Sequence, residues 1–434
     1  MKVVIVGNGV AGVTTARLAV ERDPSLDITI YSEEPYHYYS RPRLVDLVGG
    51  QVTPADIQVY PEEWYAERHI RTVLGTRVTH LEPAEHRITL PSGETVSYDR
   101  LVLATGARAW VPPIAGADAP GVYTLRTIDD AVALRDAATP GRRVLVLGGG
   151  LLGLEVAAAL SGRGVEVTVV EVFPRLLPRQ LDQEGAEVLE ERIERSGVEI
   201  LTGDSCSVIE PDGPARVCRM KSGGALETDL VVISAGARSN VTLAQEADIV
   251  CARGIVVDEH LQTSAPDVYA VGDAAEFEGR VWGIIPAALA EARLAAAQVT
   301  GDESATYHDI VPSTTLKVTG IEVTSIGEVN PETPGAVEIR AVRPGEGVYD
   351  KLVLRDGKVV GAIMVGSRAN LRAVNLLMSR GTDVSAYQEE LLQDGFDLLA
   401  LAQPPGTAPE SLVEAPQEAP SALVRLITSL EPAP

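Results

Sequence analysis

Apolar residues recur along this chain in short unbroken runs. The clearest are Val3-Val4-Ile5-Val6, Ile28-Thr29-Ile30-Tyr31, Leu101-Val102-Leu103, Val144-Leu145-Val146-Leu147, Val167-Thr168-Val169-Val170 and Val231-Val232-Ile233. Runs of this length, rich in β-branched residues, predict strands buried on both faces, as in a parallel sheet covered by helices. Residues 71–98 read differently. They alternate and turn through Arg77-Val78-Thr79, Arg87-Ile88-Thr89-Leu90 and Ser92-Gly93, which predicts a small antiparallel unit. From about Val311 the texture is again that of strands, at Thr314-Thr315-Leu316-Lys317-Val318 and Val323-Thr324-Ser325-Ile326-Gly327. Residues 350–361 predict a hairpin turning at Asp356-Gly357. Helices are expected near 370–380 and 385–401. From Gln403 the chain is rich in Pro, Ala and Glu, and a disordered tail is expected.

Glycine turns punctuate the apolar runs in a repeated order. Gly7, Gly9 and Gly12 form a G-x-G-x-x-G between the first run and a helical stretch. Gly7 permits a tight turn, Gly9 lets the backbone approach a pyrophosphate, and Gly12 lets helix and strand pack closely. The helix N-terminus adds amide donors and a partial positive charge. Gly148, Gly150 and Gly153 repeat the pattern after the run at 144–147, opening a helix with Leu151-Leu152-Gly153-Leu154-Glu155. Ala104-Thr105-Gly106 ends one later strand, and Ser234-Ala235-Gly236 ends its counterpart. Two glycine turns and two small-residue turns in matching order imply two dinucleotide-binding domains. The partner strand of the second unit ends in Glu171, placed to accept from ribose hydroxyls. In the first unit that role falls to Glu33, with Glu34 as the alternative. A later strand ends in Gly272-Asp273, where an acid can bond the polyol chain of a flavin. Pro286 opens an alanine-rich helix whose N-terminus can face a flavin ring.

Composition narrows the choices. The chain has 434 residues, 45% apolar and 23% charged, enough for two or three domains. A net charge of −24 argues against a general nucleic-acid binder, although it leaves room for a small basic docking surface. Cys206, Cys218 and Cys251 form no C-x-x-C, and the six histidines show no ligand spacing, so neither a disulfide framework nor a metal site is expected. Met1-Lys2 runs straight into the first strand, which predicts no signal peptide and a soluble cytoplasmic protein. The apolar stretch 144–160 is shorter than the roughly 20 residues of a bilayer span and contains Glu155, so it reads as strand, turn and helix. Residues 35–44, aromatic and basic, form either a packed loop or a loop over a cofactor with Arg41 facing a phosphate or ring.

With these features the chain resembles the pyridine nucleotide–disulfide oxidoreductases. The resemblance rests on residues 3–12, Ala104-Thr105-Gly106, residues 148–155, Glu171, Gly236 and residues 263–273, and it covers about residues 1–400. It implies an α/β chain of two Rossmann-like, three-layer dinucleotide-binding domains and a C-terminal α+β interface domain. The FAD-binding domain would comprise 1–110 and 240–310, the NAD(P)H-binding domain 111–239, the interface domain 311–402 and the tail 403–434. FAD would then be held by Gly7, Gly9, Val10, Ala11 and Gly12, by Glu33 or Glu34, and by Arg41 and Val78. Ala104, Thr105, Gly106, Gly272, Asp273 and Ala288 would complete that site. The nicotinamide nucleotide would be held by Gly148, Gly150, Leu151, Leu152, Gly153, Glu155, Glu171 and Gly236, with Glu155 beside the carboxamide.

An absence sets the branch. Disulfide reductases carry C-x-x-x-x-C just after the second flavin strand, and related enzymes carry one cysteine in the loop that residues 40–50 resemble. Here the loop is Ser40-Arg41-Pro42-Arg43-Leu44-Val45-Asp46, without a thiol. It is similar to the loop of rubredoxin reductases, ferredoxin reductases and the FAD/NAD part of nitrite reductases. Ferredoxin reductases of this branch often have a lysine where this chain has Asp46. The resemblance implies electron flow from NADH, favoured over NADPH by Glu171 although Arg175 lies near, through FAD to a small acidic carrier such as rubredoxin or ferredoxin. Arg41, Arg43, Lys317, Lys351 or Arg372 would supply its landing site. Two other readings remain: a peripheral NADH:quinone oxidoreductase using residues 421–430, and an NADH-sensing flavoprotein without turnover. A homodimer is also compatible.

Overall fold

The computed structural model describes residues 1–402 apart from 214, 303, 308–312, 319 and 344. The expected tail, with its apolar run, lies outside the described residues. The unbroken apolar runs build two five-stranded parallel sheets. The first has the order Val268–Ala270, Arg100–Leu103, Lys2–Val6, Asp27–Tyr31, Ile70–Val73. The second runs Val122–Tyr123, Leu230–Ile233, Arg143–Leu147, Glu166–Glu171, Val198–Thr202, which is the same arrangement. Only the source of one edge strand differs. In the first sheet it comes from late in the chain; in the second it precedes all the others.

The repetition reaches the level of single hydrogen bonds. The Asp99 carboxylate accepts from the Lys2 N–H at 2.6 Å, and Asp229 accepts from the Arg143 N–H at 2.8 Å. Each sheet also carries a three-stranded antiparallel meander. In the first half it is His80–Glu82, Arg87–Thr89, Thr95–Ser97, where alternation predicts one. In the second it is Cys206–Asp212, Ala215–Met220, Ala225–Thr228, for which the apolar pattern gives little warning. The start of the region expected to be antiparallel is corrected: Ile70–Val73 joins the parallel sheet beside Asp27–Tyr31.

The C-terminal strands form a five-stranded antiparallel sheet in the order Ser313–Val318, Ile321–Gly327, Lys358–Val365, Val348–Arg355, Ala336–Arg343. The Asp356-Gly357 hairpin is present, with both residues at positive φ. The helix Leu371–Arg380 buries Ala373, Val374 and Leu377 against this sheet and ends at Gly381 in the left-handed region. A helix over 385–401 is not formed. Gly395 sits at φ 84°, interrupting the run, and only Ser385–Tyr387 and Leu398–Ala402 turn helically. Leu391 and Leu392 still reach the core as irregular chain.

The segment after Ser40 folds as one turn, Arg41–Arg43, and a short helix, Leu44–Val48. It belongs to the first half in sequence but packs on the second. Leu44, Leu47 and Val48 share a core with Leu154 and Ala157 of the helix Leu151–Ser161 and with Tyr349, Ile363 and Val365 of the C-terminal sheet. A fully buried leucine contributes roughly 2 kcal/mol, so Leu44 and Leu47 anchor this helix on the second half.

Candidate functional site

Each glycine turn leaves an open concave backbone. Gly7 adopts φ 115°, and a Cβ there would lie 2.1 Å from the Ala104 carbonyl oxygen; a Cβ at Gly12 would lie 2.0 Å from the Gly7 oxygen. Gly148 and Gly153 repeat both contacts, at 2.3 Å against Ser234 and 2.0 Å against Gly148. Thus the strand, the turn and the helix are pressed together as the pattern predicts. By contrast, nothing lies within 4 Å of a Cβ built at Gly9 or Gly150. These two residues are the N-caps of Val10–Arg22 and Leu151–Ser161, and neither helix has a side-chain cap or an acid in its first turn. Free amide donors at a helix start, bare of side chains, form a cradle for a phosphate.

Around the first turn the structure gathers Ala11, Gly272 and Ala288: a Cβ at Gly272 would meet the Cβ atoms of Ala11 at 2.9 Å and Ala288 at 3.9 Å. The Gly272 N–H donates to the buried Glu291 carboxylate at 2.5 Å. Thr105 Oγ1 donates to the Asn240 carbonyl at 2.7 Å, and Asn240 Nδ2 returns a bond to the Thr105 carbonyl at 2.9 Å. Ser239 Oγ donates to the Asp273 carbonyl at 2.6 Å. Two small-residue turns from opposite halves are therefore locked together beside Asp273, reinforced by the antiparallel pair Ala107–Ala109 and Ala237–Ser239. Gly106 and Gly236 both hold positive φ in these turns. Val78 is buried in the first core.

Asn8 Nδ2 and Ser40 Oγ are buried with no hydrogen-bond partner among the described residues. A buried polar group left unpaired costs about 1–3 kcal/mol, so both mark places where a bound group would complete the bonding. Asn8 is oriented by the Tyr65 hydroxyl, which donates to its Oδ1 at 3.1 Å. Together with the bare cradle at Gly9, these atoms fit a phosphate-bearing cofactor.

The two candidate ribose acids part company. Glu34 accepts from Arg41 at 2.7 Å and from the Tyr39 hydroxyl at 2.5 Å. Glu33 is exposed, facing Arg77 at 3.6 Å. Arg41 also donates to the Arg126 carbonyl at 2.9 Å, so its guanidinium is engaged within the protein rather than pointing freely at a ligand. Arg126 itself was not singled out by sequence reasoning. It donates to Asp273 at 2.7 Å and to the Ala107 carbonyl at 2.8 Å, joining the polyol-site acid to the crossover. The available signal was an arginine immediately before the capping box of Thr127 and Asp130, which starts the helix Ile128–Ala137.

At the second turn Glu171 is buried. Its carboxylate accepts from the Gly149 N–H at 2.6 Å and the Phe173 N–H at 2.9 Å. Arg175, the cation nearest in sequence, spends its donors on the Leu181 and Pro178 carbonyls at 3.3 and 3.1 Å. Leu151 and Leu152 occupy the first turn of the helix, and Glu155 follows one turn later. Burial, aided by the negative charge of Asp46, pushes the Glu155 carboxyl up to about 7. The short helix Leu44–Val48 carries Asp46 to this place, where Arg43 also meets it at 3.1 Å.

Among the expected landing-site cations, Lys351 is corrected. Its side chain is 2% exposed and lies 3.0 Å from both Asp182 and Glu338. It is unavailable to a partner because the C-terminal sheet closes over it. Arg41 and Arg43 are paired with Glu34 and Asp46. Arg372 is exposed on its helix. Lys317 lies in the strand Ser313–Val318. Among the described residues no helix is long and apolar enough to cross a membrane.

Residues 1–296 match the family described as pyridine nucleotide-disulphide oxidoreductase, and residues 312–382 match the rubredoxin NAD+ reductase C-terminal domain. The chain is 34% identical over 386 residues to a nitrite reductase [NAD(P)H] of Bacillus subtilis, covering 88% of this chain and 48% of that one. It is 30% identical over 365 residues to an NADH-rubredoxin oxidoreductase of Clostridium acetobutylicum, covering 84% and 91%. The solved ferredoxin reductase for the CYP199A2 system of Rhodopseudomonas palustris superposes with a TM-score of 0.83 at 28% identity, covering 93% of this chain and all of that one. The chain spans about half the length of several of the curated relatives it matches, from 44% to 51%.

Proposed function

The chain belongs to the pyridine nucleotide-disulphide oxidoreductase family, and we propose that it is an FAD-containing, NADH-dependent reductase of a small iron carrier protein of the rubredoxin or ferredoxin kind. One observation carries this reading: the fold holds two bare phosphate cradles, and the loop that begins at Ser40, whose buried Oγ lacks a partner among the described residues, contains no cysteine. FAD, when bound, accepts two electrons from a dihydronicotinamide and releases them one at a time. The protein's part is to bind and orient. Gly7, Gly9, Val10, Ala11 and Gly12 take the pyrophosphate, with Asn8 completing its bonds. Asp273, held by Arg126, takes the polyol chain, and Thr105 and Gly106 pass close to the ring. Glu33, the less engaged acid, takes the adenosine ribose. On the other side Gly148, Gly150 and Gly153 take the NADH pyrophosphate, and Gly236 and Glu155 border the nicotinamide. Without a thiol in the loop, no side chain there would relay electrons from bound FAD by thiol–disulfide exchange.

Glu171 argues for NADH. A buried carboxylate already fixed by two N–H donors retains lone pairs for ribose hydroxyls but repels a 2′-phosphate. The neighbouring Arg175 is held in the loop and offers no compensation. A kcat/KM for NADPH equal to that for NADH contradicts this part of the proposal. The carrier is supported by the C-terminal match to rubredoxin reductases and by ferredoxin reductases among the similar structures. A second reading, in which these residues deliver electrons to a nitrite-reducing centre outside them, is favoured by the half-length nitrite reductase match. Anaerobic reduction of the FAD-loaded protein by NADH, then mixing with rubredoxin, ferredoxin or a nitrite-reducing protein, separates the two.

A further inference from the structure

The loop between Glu171 and the helix Gln183–Glu194 closes over the second glycine turn in a strained form. Leu176 and Leu177 are fully buried within it. A Cβ built at Gly149 would lie 2.7 Å from the Leu176 side chain, and the Leu177 N–H donates to the Gly149 carbonyl at 3.2 Å. Leu177 achieves this at φ 46°. A leucine in the left-handed region is costly and persists only where its surroundings over-determine it.

The surroundings lie at the far end of the loop. Asn330 and Arg175 both donate to the Leu181 carbonyl, at 3.3 Å each. Asp182 then caps the following helix, its Oδ1 accepting from the Gly185 N–H at 3.1 Å. Its Oδ2 accepts from the Tyr349 hydroxyl at 2.6 Å and meets Lys351 Nζ at 3.0 Å. Burial alone would raise the Asp182 carboxyl, but the bonds from Tyr349, Lys351 and Gly185 hold it below the usual carboxylate range. Lys351 and Tyr349 are both buried in the C-terminal sheet, and Glu338 shares the lysine from the next strand. Arg340 covers the cluster, 3.5 Å from Glu184 and 3.6 Å from Asp182. A buried lysine held between two carboxylates fixes position in a way that an apolar contact does not.

We propose that Lys351 and Tyr349 are positioning residues for the nicotinamide nucleotide: acting through Asp182, they hold residues 172–181 against Gly149 and so shape the pocket for its adenosine half. This rests on the reading of Glu171 as the ribose acid. The C-terminal sheet then does more than face a partner; it sets the affinity of the site for NADH.

Arg175 and Arg179 lie inside the loop and report on it through cleavage by trypsin. The test digests the FAD-loaded wild type, Y349F and K351M with and without NAD+ or nicotinamide mononucleotide, following cuts at these two arginines by mass spectrometry. The same proteins are titrated with NAD+ and assayed with NADH. The expected result is faster cleavage in both variants and NAD+ affinity weakened tenfold, up to about a hundredfold. Affinity for the mononucleotide, which lacks adenosine, and kcat at saturating NADH stay unchanged. Where K351M does not fold, Y349F, which loses one hydroxyl, carries the test. Lower melting temperatures with unaltered NAD+ affinity and loop cleavage overturn the proposal while wild-type protection by NAD+ keeps the site reading intact. If NAD+ protects none of the proteins, the site reading falls first and the proposal with it.

Discussion

Glu155 is the residue whose environment departs furthest from what its place in the sequence suggests. One turn into a helix that follows a glycine turn, it reads as a contact for the nicotinamide, and nothing nearby in sequence announces Asp46. The two acids meet because the helix Leu44–Val48 packs on the second half. Burial first, and Asp46 second, raise the Glu155 carboxyl from 4.5 to about 7. A carboxyl whose folded value is raised contributes stability below its unfolded value, and that contribution is lost as pH rises through the folded one. Between about pH 5 and about pH 8, the unfolding free energy of wild type should therefore fall by about 2 kcal/mol more than that of Glu155→Gln. Asp46→Asn, which removes only the lesser cause, should recover a minor part. Denaturant titrations at the two pH values check both; parallel curves for wild type and Glu155→Gln contradict the assignment. Other residues were legible to different degrees. Glu171 ends its strand where the apolar run predicts, while its bonds from the Gly149 and Phe173 N–H groups are not encoded in the spacing. Spacing does not distinguish Glu33 from Glu34; the bonds from Arg41 and Tyr39 to Glu34 depend on how the following loop folds back. Arg126 and Lys351 depend on contacts between distant segments, which a linear pattern does not encode.

At the scale of elements the sequence was most readable where local geometry dictates residue type. A strand buried on both faces needs an apolar run, and a turn squeezed between strand and helix needs glycine; both requirements appear twice, in order. A Cβ at Gly153 would lie 2.0 Å from the Gly148 oxygen, so Gly153→Ala must push the helix from its strand. Its expected effect is a loss of NADH binding by about a hundredfold or more with FAD retained, and Gly12→Ala should do the reverse by releasing FAD. Isothermal titration with NAD+ and the flavin content of the purified protein read these outcomes. Thr127, whose hydroxyl caps the helix Ile128–Ala137 in a reciprocal box with Asp130, offers a quieter test: Thr127→Ala should cost about 1 kcal/mol in a urea melt. Elements whose formation depends on packing were less readable. The meander at 206–228 has strands of seven, six and four residues in which apolar and polar positions scarcely alternate, and the region 385–401 has helix-forming residues but is interrupted by Gly395 at positive φ.

For the whole molecule, the resemblance carries the architecture, while the choice of acceptor turns on one loop and on surface charge. A chain of net charge −24 repels an acidic carrier at long range, so docking must rely on local cations. Lys351 is buried away from such a surface, whereas Arg372 is exposed on its helix. Reduction of rubredoxin or ferredoxin should then slow with rising salt, and more weakly in Arg372→Glu, while reduction of a small uncharged dye should stay level; equal salt dependence for both acceptors contradicts a charged landing site. The proposed function makes a sharper demand: with no cysteine in the loop after Ser40, bound FAD itself would have to pass the electrons on. Rapid anaerobic mixing addresses it most directly: FAD-loaded protein, alkylated at its thiols, is reduced with NADH and then mixed with oxidised rubredoxin or ferredoxin. The predicted result is loss of the flavin absorbance on NADH and its return as the carrier is reduced, at the rates of the unalkylated protein. A flavin that NADH fails to bleach, or one that neither carrier reoxidises, contradicts the account.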